Sequence, residues 1–131
     1  DEPAVVAKHG VLPESIADLL ALVGDTADGI PGLEGWGKSS AAKVLTVYKH
    51  LEAIPDDPSK WNVPGLRSID RLAASLREHR AEAALYKKLA TLRIDCPITT
   101  DADALAWKGV NRPALDAMLA EIGLPADAIK L

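Results

Sequence analysis

Five of the nine glycines of this 131-residue chain lie within residues 24–37, in the run GDTADGIPGLEGWG. Glycine is costly inside a helix but accepts the positive φ angles that tight turns need. Apolar residues at helical spacing precede the run, and Ala41, Val44 and Leu45 continue such a pattern after it. The sequence therefore predicts two packed helices joined by a long, irregular turn.

The end of this run has the glycine and apolar spacing of a helix-hairpin-helix. We expect positive φ at Gly35 and Gly37, with Trp36 between them as a hydrophobic plug. A helix that begins near Lys38 offers unpaired N–H groups and the positive end of its dipole to a phosphate, in binding that ignores base sequence. A plain glycine turn between packed helices explains the spacing equally well. The residues expected to contact DNA are Gly32, Gly35, Gly37, Lys38, Ser39, Ser40 and Lys43.

Asp25 and Asp28 lie three residues apart in the turn, and carboxylate oxygens are ligands that Mg²⁺ prefers. No Lys or Arg lies between residues 9 and 37, so the local negative charge favours a cation. Metal ions held in this way can activate water for hydrolysis of a phosphodiester. Alternatively, the two aspartates only end a helix and form a turn, as Asp often does. Spacing alone leaves both interpretations open.

Apolar spacing along the whole chain predicts an all-α fold. We expect a loop at residues 55–65 that Trp61 pins to the core, and an extended segment at residues 93–98, because Pro97 opposes helix at Cys96. Helices are expected at residues 13–23, 38–49, 69–79 and 81–92, with a short helical turn at residues 51–54 and a last helix capped by Asn111. Inward-facing side chains are expected to include Leu85, Leu89, Leu92, Leu115, Met118, Leu119 and Ile122.

Composition and charge exclude several classes of protein. The length suits one domain, and the single cysteine, Cys96, rules out an internal disulfide and a cysteine-rich zinc site; we expect it to be buried. No apolar run reaches membrane-spanning length and no signal peptide is visible, so we expect a cytoplasmic protein. The net charge of −4 argues weakly against nucleic acid. Residues 60–93, however, carry 8 basic and 3 acidic groups and could attract a polyanion, unless they form a solvated helix face.

Most of the chain resembles the C-terminal half of the 5′-nuclease family, which includes the 5′–3′ exonuclease domain of bacterial DNA polymerase I and flap endonucleases. The family signature, roughly GD-S-x-D-N-I-P-G-x-x-G-x-G-x-K-T-A, stands here as GDTADGIPGLEGWGKSSA. Residues 9–25, 44–54 and 76–98 follow the family pattern in the same order. The resemblance implies a small helical domain of SAM-like type, with a helix-hairpin-helix, called a helix-three-turn-helix in this family, at about residues 24–48.

The resemblance also implies metal and DNA sites. The two aspartates of the family motif help to bind the Mg²⁺ or Mn²⁺ ions that cleave DNA, and their positions here are Asp25 and Asp28. The hairpin grips the duplex arm of branched or nicked DNA, and backbone carbonyls in the region from Gly32 to Gly37 could hold a K⁺ ion. The implied function is that of part of a 5′–3′ exonuclease or flap endonuclease in DNA replication and repair.

Departures from the family pattern affect both sites. Gly29 replaces the Asn after the second aspartate, Lys38 stands one place before the usual lysine, and Lys49 and His50 replace the Gly and Ser of a tyrosine-glycine-serine motif. The other catalytic acids of the family lie in an upstream α/β domain. We therefore expect residues 1–131 to be one subdomain of a longer nuclease, with that domain as a partner and with little nuclease activity alone.

Two other functions remain open at this point. The first is a non-catalytic helix-hairpin-helix module that binds DNA, in which the aspartates are structural; weak Mg²⁺ binding lost in Asp25→Ala would oppose it. The second is a helical protein-interaction domain. Salt-dependent binding of duplex DNA that weakens in Lys38→Ala would oppose that function.

Overall fold

The structure, a computed structural model, describes residues 1–129. Seven α-helices dominate the described chain, whose only β-pairing is an isolated bridge between Asp25 and Ile30. The all-α fold predicted from the sequence is confirmed. The helices are α1 (Glu2–His9), α2 (Ile16–Val23), α3 (Lys38–Tyr48), α4 (Ile69–Glu78), α5 (Arg80–Ala90), α6 (Ala102–Leu105) and α7 (Arg112–Glu121), with 3-10 turns at Pro13–Ser15, Leu51–Ala53 and Pro58–Lys60.

The chain groups into two compact units, the first spanning Asp1–Ile94 and the second beginning at Asp95. The first unit contains α1 to α5, and the second contains α6 and α7. The single domain expected from the length of the chain stays a prediction. Within residues 1–129 no helix has the length and apolar character to cross a membrane, and the cytoplasmic location also stays a prediction.

The core of the first unit is formed by α2, α3, α4 and α5 and the turns between them. α2 and α3 contribute Leu22, Val44 and Leu45, whose side chains are almost completely buried. Trp61 is also buried, as expected, although the loop around it includes a 3-10 turn. The other buried members of this core include Trp36, Leu51, Ile54, Val63, Leu72, Ala73, Leu76 and Ala83.

The helices expected from apolar spacing lie within two residues of their predicted bounds, except that residues 13–15 form a 3-10 turn before α2; α1 and α6 were not predicted. α1 has no buried residue, and its sequence lacks the apolar stripe by which a packed helix is predicted. Its capping signals were present, since the Asp1 carboxylate accepts a hydrogen bond from Ala4 N and Gly10 ends the helix at φ +74°. The predicted cap of α7 is confirmed, because Asn111 Oδ1 accepts from Ala114 N at 3.1 Å.

The inward face of α5 was predicted wrongly. Leu85, Leu89 and Leu92 are 52%, 66% and 88% exposed. The face of α5 that turns inward instead includes Ala83, which is fully buried, and Lys87, which is partly buried. The face of α5 that packs inward thus carries Ala83 and the polar contact of Lys87 with Asp18, and not the leucine stripe.

Corrections are also needed after α5. Residues 93–98 form no strand, and Ile98 N donates to Cys96 O at 2.8 Å in a local turn. Cys96 is exposed, not buried. On α7 only Leu119 of the expected inward residues is buried; Leu115 is half-buried, and Met118 and Ile122 are exposed. These residues belong to the second unit, where fewer contacts are available to bury a side chain.

A buried carboxylate connects α2 to α5 and to the turn after α3. Asp18 is completely buried; its Oδ1 accepts from Lys87 Nζ and from Leu51 N, each at 2.8 Å, and its Oδ2 lies 3.1 Å from His50 Nδ1. Lys87 also contacts Glu52 at 2.7 Å, and this hydrogen bond holds the pKa of Glu52 below its usual value. Burial would lower the pKa of Lys87, but its hydrogen bonds to both carboxylates outweigh burial and raise it. A buried charge paired in this way fixes the helices that carry it.

Candidate nucleic-acid interface

The turn after α2 folds back so tightly that two of its glycines allow no side chain. Asp25 and Ile30 exchange backbone hydrogen bonds of 2.7 and 2.8 Å. A Cβ on Gly24 would lie 2.7 Å from Ile30 O, and a Cβ on Gly32 would lie 2.5 Å from Gly24 N. Both glycines also have positive φ. Gly32 therefore packs against the end of α2, and its predicted contact with DNA stays a prediction.

The two motif carboxylates lie at the surface of this turn. Asp25 Oδ1 accepts from Ala27 N at 3.0 Å, which is the turn-forming role of the structural alternative. The carboxylate of Asp28 is exposed and forms no ion pair with any of residues 1–129. Gly29 has φ +70° and no atom near its missing side chain, so the Asn of the family pattern would also fit there.

The carboxylates of the turn could supply some of the protein ligands of a Mg²⁺ ion, but they do not form a complete site. Within residues 1–129 no group of three or more His, Cys, Asp or Glu side chains could hold a metal ion. Mg²⁺ usually keeps several water ligands and takes one or two carboxylates, so Asp25 and Asp28 could supply that smaller number. The roles of these residues and the K⁺ ion expected near Gly32 to Gly37 stay predictions.

A cleft of about 460 Å³ opens beside Asp25. Lys38, the first residue of α3, lines this cleft together with His9 at the end of α1. The remaining lining is largely apolar and includes Leu19, Leu20, Val23, Ile30 and Pro31. Lys38 and the Asp25 carboxylate thus lie along the same cleft.

The start of α3 differs from the expectation at one glycine. Gly35 has φ +81°, as predicted, but Gly37 has φ −117° and ψ 164°. Gly37 is the N-cap residue, and N-caps adopt extended backbone angles. Ser40 Oγ accepts from Gly37 N at 3.1 Å and donates to Gly37 O at 2.9 Å. The Ser40 hydroxyl therefore closes the cap, and the first-turn N–H groups of α3 stay available to a ligand.

A groove of about 530 Å³ runs past the first turn of α3. Lys43 on α3 donates from Nζ to Gly65 O at 2.8 Å and so holds the opposite wall in place. The α3 wall consists of Gly35, Gly37, Ser39, Ser40 and Lys43, and the opposite wall of Gly65, Leu66 and Arg67. The structure thus gathers five of the seven residues that the sequence assigned to DNA contact.

The charge of the groove is entirely positive. Lys43 and Arg67 are its ionisable lining residues, and no acidic side chain lines it. Within the described chain neither cation forms an ion pair within 4.0 Å. The positive end of the α3 dipole adds to their field. This arrangement can hold a phosphate by backbone N–H groups and two cations at once.

Sequence reasoning did not single out the loop wall of the groove. Gly65 and Leu66 lie more than twenty residues after Lys43, and the hydrogen bond from Lys43 Nζ to Gly65 O connects the two segments. In the sequence, Arg67 is only one of eight basic groups in residues 60–93. Pro64 followed by Gly65 signals a turn, but not what the turn faces.

Two tryptophan rings in tilted contact support the hairpin. Trp36 is buried, and its ring centre lies 6.2 Å from that of Trp61. Trp61 Nε1 donates to Pro55 O at 2.7 Å and its ring is 6.5 Å from Tyr48. Trp36 is therefore a hydrophobic plug, as expected, which fixes the turn that precedes α3.

Comparison with known proteins identifies relatives of this chain. Residues 11–113 match the family model described as 5′-3′ exonuclease, C-terminal SAM fold. The chain is 38% identical over 125 residues to DNA polymerase I of Bacillus caldotenax and 34% identical over 124 residues to that of Bacillus subtilis, matches that cover 92% and 91% of this chain. It is 35% identical over 95 residues, 72% of its length, to a 5′-3′ exonuclease of Buchnera aphidicola. The matches span 13% of each polymerase and 32% of the exonuclease.

Proposed function

The chain belongs to the family of 5′-3′ exonuclease C-terminal SAM-fold domains, and we propose that it binds the sugar-phosphate backbone of DNA in the groove beside α3. The observation that carries this proposal is the composition of the groove. It combines a helix N-terminus with Lys43 and Arg67 and contains no acidic side chain. Phosphate is the group in DNA that such a surface recognises, so binding would not depend on base sequence.

The two helices and the turn between them supply the helix-hairpin-helix geometry of this proposal. α2 and α3 pack together, and the turn between them is fixed by the Gly24 and Gly32 contacts and by the buried Trp36. A rigid turn keeps the N–H groups of Lys38 and Ser39 in place before DNA arrives, which reduces the entropy lost on binding. The duplex arm of branched or nicked DNA presents the continuous backbone that suits this groove.

We propose further that Asp25 and Asp28 contribute ligands to the divalent metal ions of a complete 5′ nuclease. Mg²⁺ or Mn²⁺ would supply charge stabilisation and an activated water there. Both carboxylates are accessible, and Asp25 keeps one oxygen free of the Ala27 hydrogen bond. Two carboxylates form only part of such a site, so this chain alone should cleave little DNA. Loss of weak Mn²⁺ binding in Asp28→Asn would support this role, and unchanged binding would oppose it.

Salt-dependent DNA affinity tests the groove. The variants Lys43→Gln and Arg67→Gln should each weaken binding of a fluorescent DNA duplex several-fold and lower the slope of log affinity against log salt by about one. Lys88→Gln removes the same charge from an exposed position on α5 and serves as the matched control. Equal effects of all three substitutions would show that only net charge matters and would contradict a specific groove.

A further inference from the structure

The wall of the α3 groove at Gly35 is shared with a second cavity. This neighbouring cavity, of about 260 Å³, is lined by α4 residues that include Arg71, Ser75 and Glu78. A Cβ on Gly35 would lie 3.5 Å from both Cζ and Nε of Arg71. The guanidinium of Arg71 therefore lies beside the hairpin glycine.

Arg71 is held in this position by the helix that carries it. Ser75 lies one turn later on the same face of α4, and its Oγ donates to Glu34 O in the hairpin at 2.8 Å. This bond fastens α4 to the residue next to Gly35. The backbone of the hairpin and the first turns of α4 therefore keep a fixed separation, which Arg71 spans.

The Arg71 guanidinium has no partner of its own within the described chain. It forms neither a hydrogen bond nor an ion pair with any of residues 1–129, although Glu34 and Glu78 line the same cavity and Asp70 precedes it. Arginine presents a planar fork of donors that matches two phosphate oxygens, and its charge persists at any pH of interest. An exposed fork beside a phosphate groove is placed to hold a second phosphate.

We propose that Arg71 binds a backbone phosphate next to the one in the α3 groove, so that one DNA strand contacts both Arg71 and the groove cations Lys43 and Arg67. This inference rests on the proposed function. It extends the contact surface from the hairpin to α4, an element that the hairpin motif does not include. Gly35 itself has φ +81°, a backbone angle that favours glycine, and its exposed backbone lies beside the guanidinium.

The test measures the affinity of the 131-residue chain for a DNA duplex across a range of salt concentrations. Arg71→Gln should weaken binding several-fold at low salt and lower the salt slope by about one. Arg71→Lys should restore the slope but not the full affinity, because lysine keeps the charge and loses the fork. The control is Arg77→Gln, which removes an exposed arginine from the same helix.

The outcomes separate this inference from the proposed function. An unchanged slope in Arg71→Gln, with weakened binding in Lys43→Gln and Arg67→Gln, would overturn the Arg71 contact and leave the groove intact. The absence of salt-dependent binding by the unsubstituted chain would overturn both. Equal losses in Arg71→Gln and Arg77→Gln would show a diffuse charge effect, which also contradicts a specific contact.

Discussion

A single strained residue connects the end of α3 to the buried carboxylate. Lys49 has φ 63° and ψ −53°, and His50 N donates across it to Tyr48 O at 2.7 Å, which makes a γ-turn of the rare positive-φ type. The tyrosine-glycine-serine motif of the family pattern has glycine at this position. The turn places the His50 ring and the Leu51 N–H against Asp18. A lysine here therefore bears backbone strain that the surrounding contacts overcome.

The strain at Lys49 predicts that glycine at this position gives a more stable fold than alanine. Lys49→Gly should unfold at higher urea concentration than Lys49→Ala, with a free energy of unfolding greater by about 1 kcal/mol, since relieved strain exceeds the extra entropy of glycine. The alanine variant is the matched control, because both substitutions remove the 3.2 Å ion pair with Glu14. Equal stability of the two variants would show that the γ-turn carries no strain.

At the scale of single residues the sequence predicted some backbone conformations and missed others. Positive φ at Gly35 followed from the hairpin pattern, whereas Gly37 is extended because it caps α3. The close packing of Gly24 against the Gly32 backbone was not foreseen, since it depends on how the two ends of the turn meet. A glycine in a sequence indicates that positive φ is allowed, but the fold determines which glycine adopts it.

At the scale of elements, the buried carboxylate of Asp18 on α2 binds Lys87 on α5. The sequence of α5 offers a leucine stripe and, on another face, Ala83 and Lys87. The leucine stripe predicted the wrong face because the partner that selects Lys87 is Asp18, far away in sequence. Local periodicity cannot identify a contact of this kind. The bounds of α2, α3 and α7 were predicted because their caps and apolar spacing are local.

The Asp18 network predicts very different costs for two similar substitutions. Asp18→Asn should lower the free energy of unfolding by about 3 kcal/mol, because it leaves Lys87 partly buried without its buried counter-charge. Glu52→Gln removes the other carboxylate bound to Lys87, but that side chain is 64% exposed and should cost less than about 1 kcal/mol. Urea denaturation of both variants measures the difference, and equal costs would mean that burial of Asp18 does not matter.

At the scale of the whole molecule, a helical SAM-fold domain carries groups of opposite charge on neighbouring segments. The turn after α2 carries the half-buried Asp25 and the exposed Asp28, and the groove beside α3 carries Lys43 and Arg67. The sequence predicted the fold and most of the groove, since the motif residues are contiguous. It could not predict the wall at Gly65 to Arg67 or the guanidinium of Arg71 beside Gly35, because tertiary packing alone brings them there.

The most direct test of the groove is an NMR titration of the ¹⁵N-labelled chain with a short DNA duplex at low salt. The largest shifts should occur at the amides of Lys38 and Ser39 and of the wall at Gly65 to Arg67, and added salt should reverse them. These amides line or adjoin the groove, whereas the exposed face of α5 around Leu85 and Leu89 does not. Shifts confined to α5, or none at all, would contradict the assignment of DNA binding to the α3 groove.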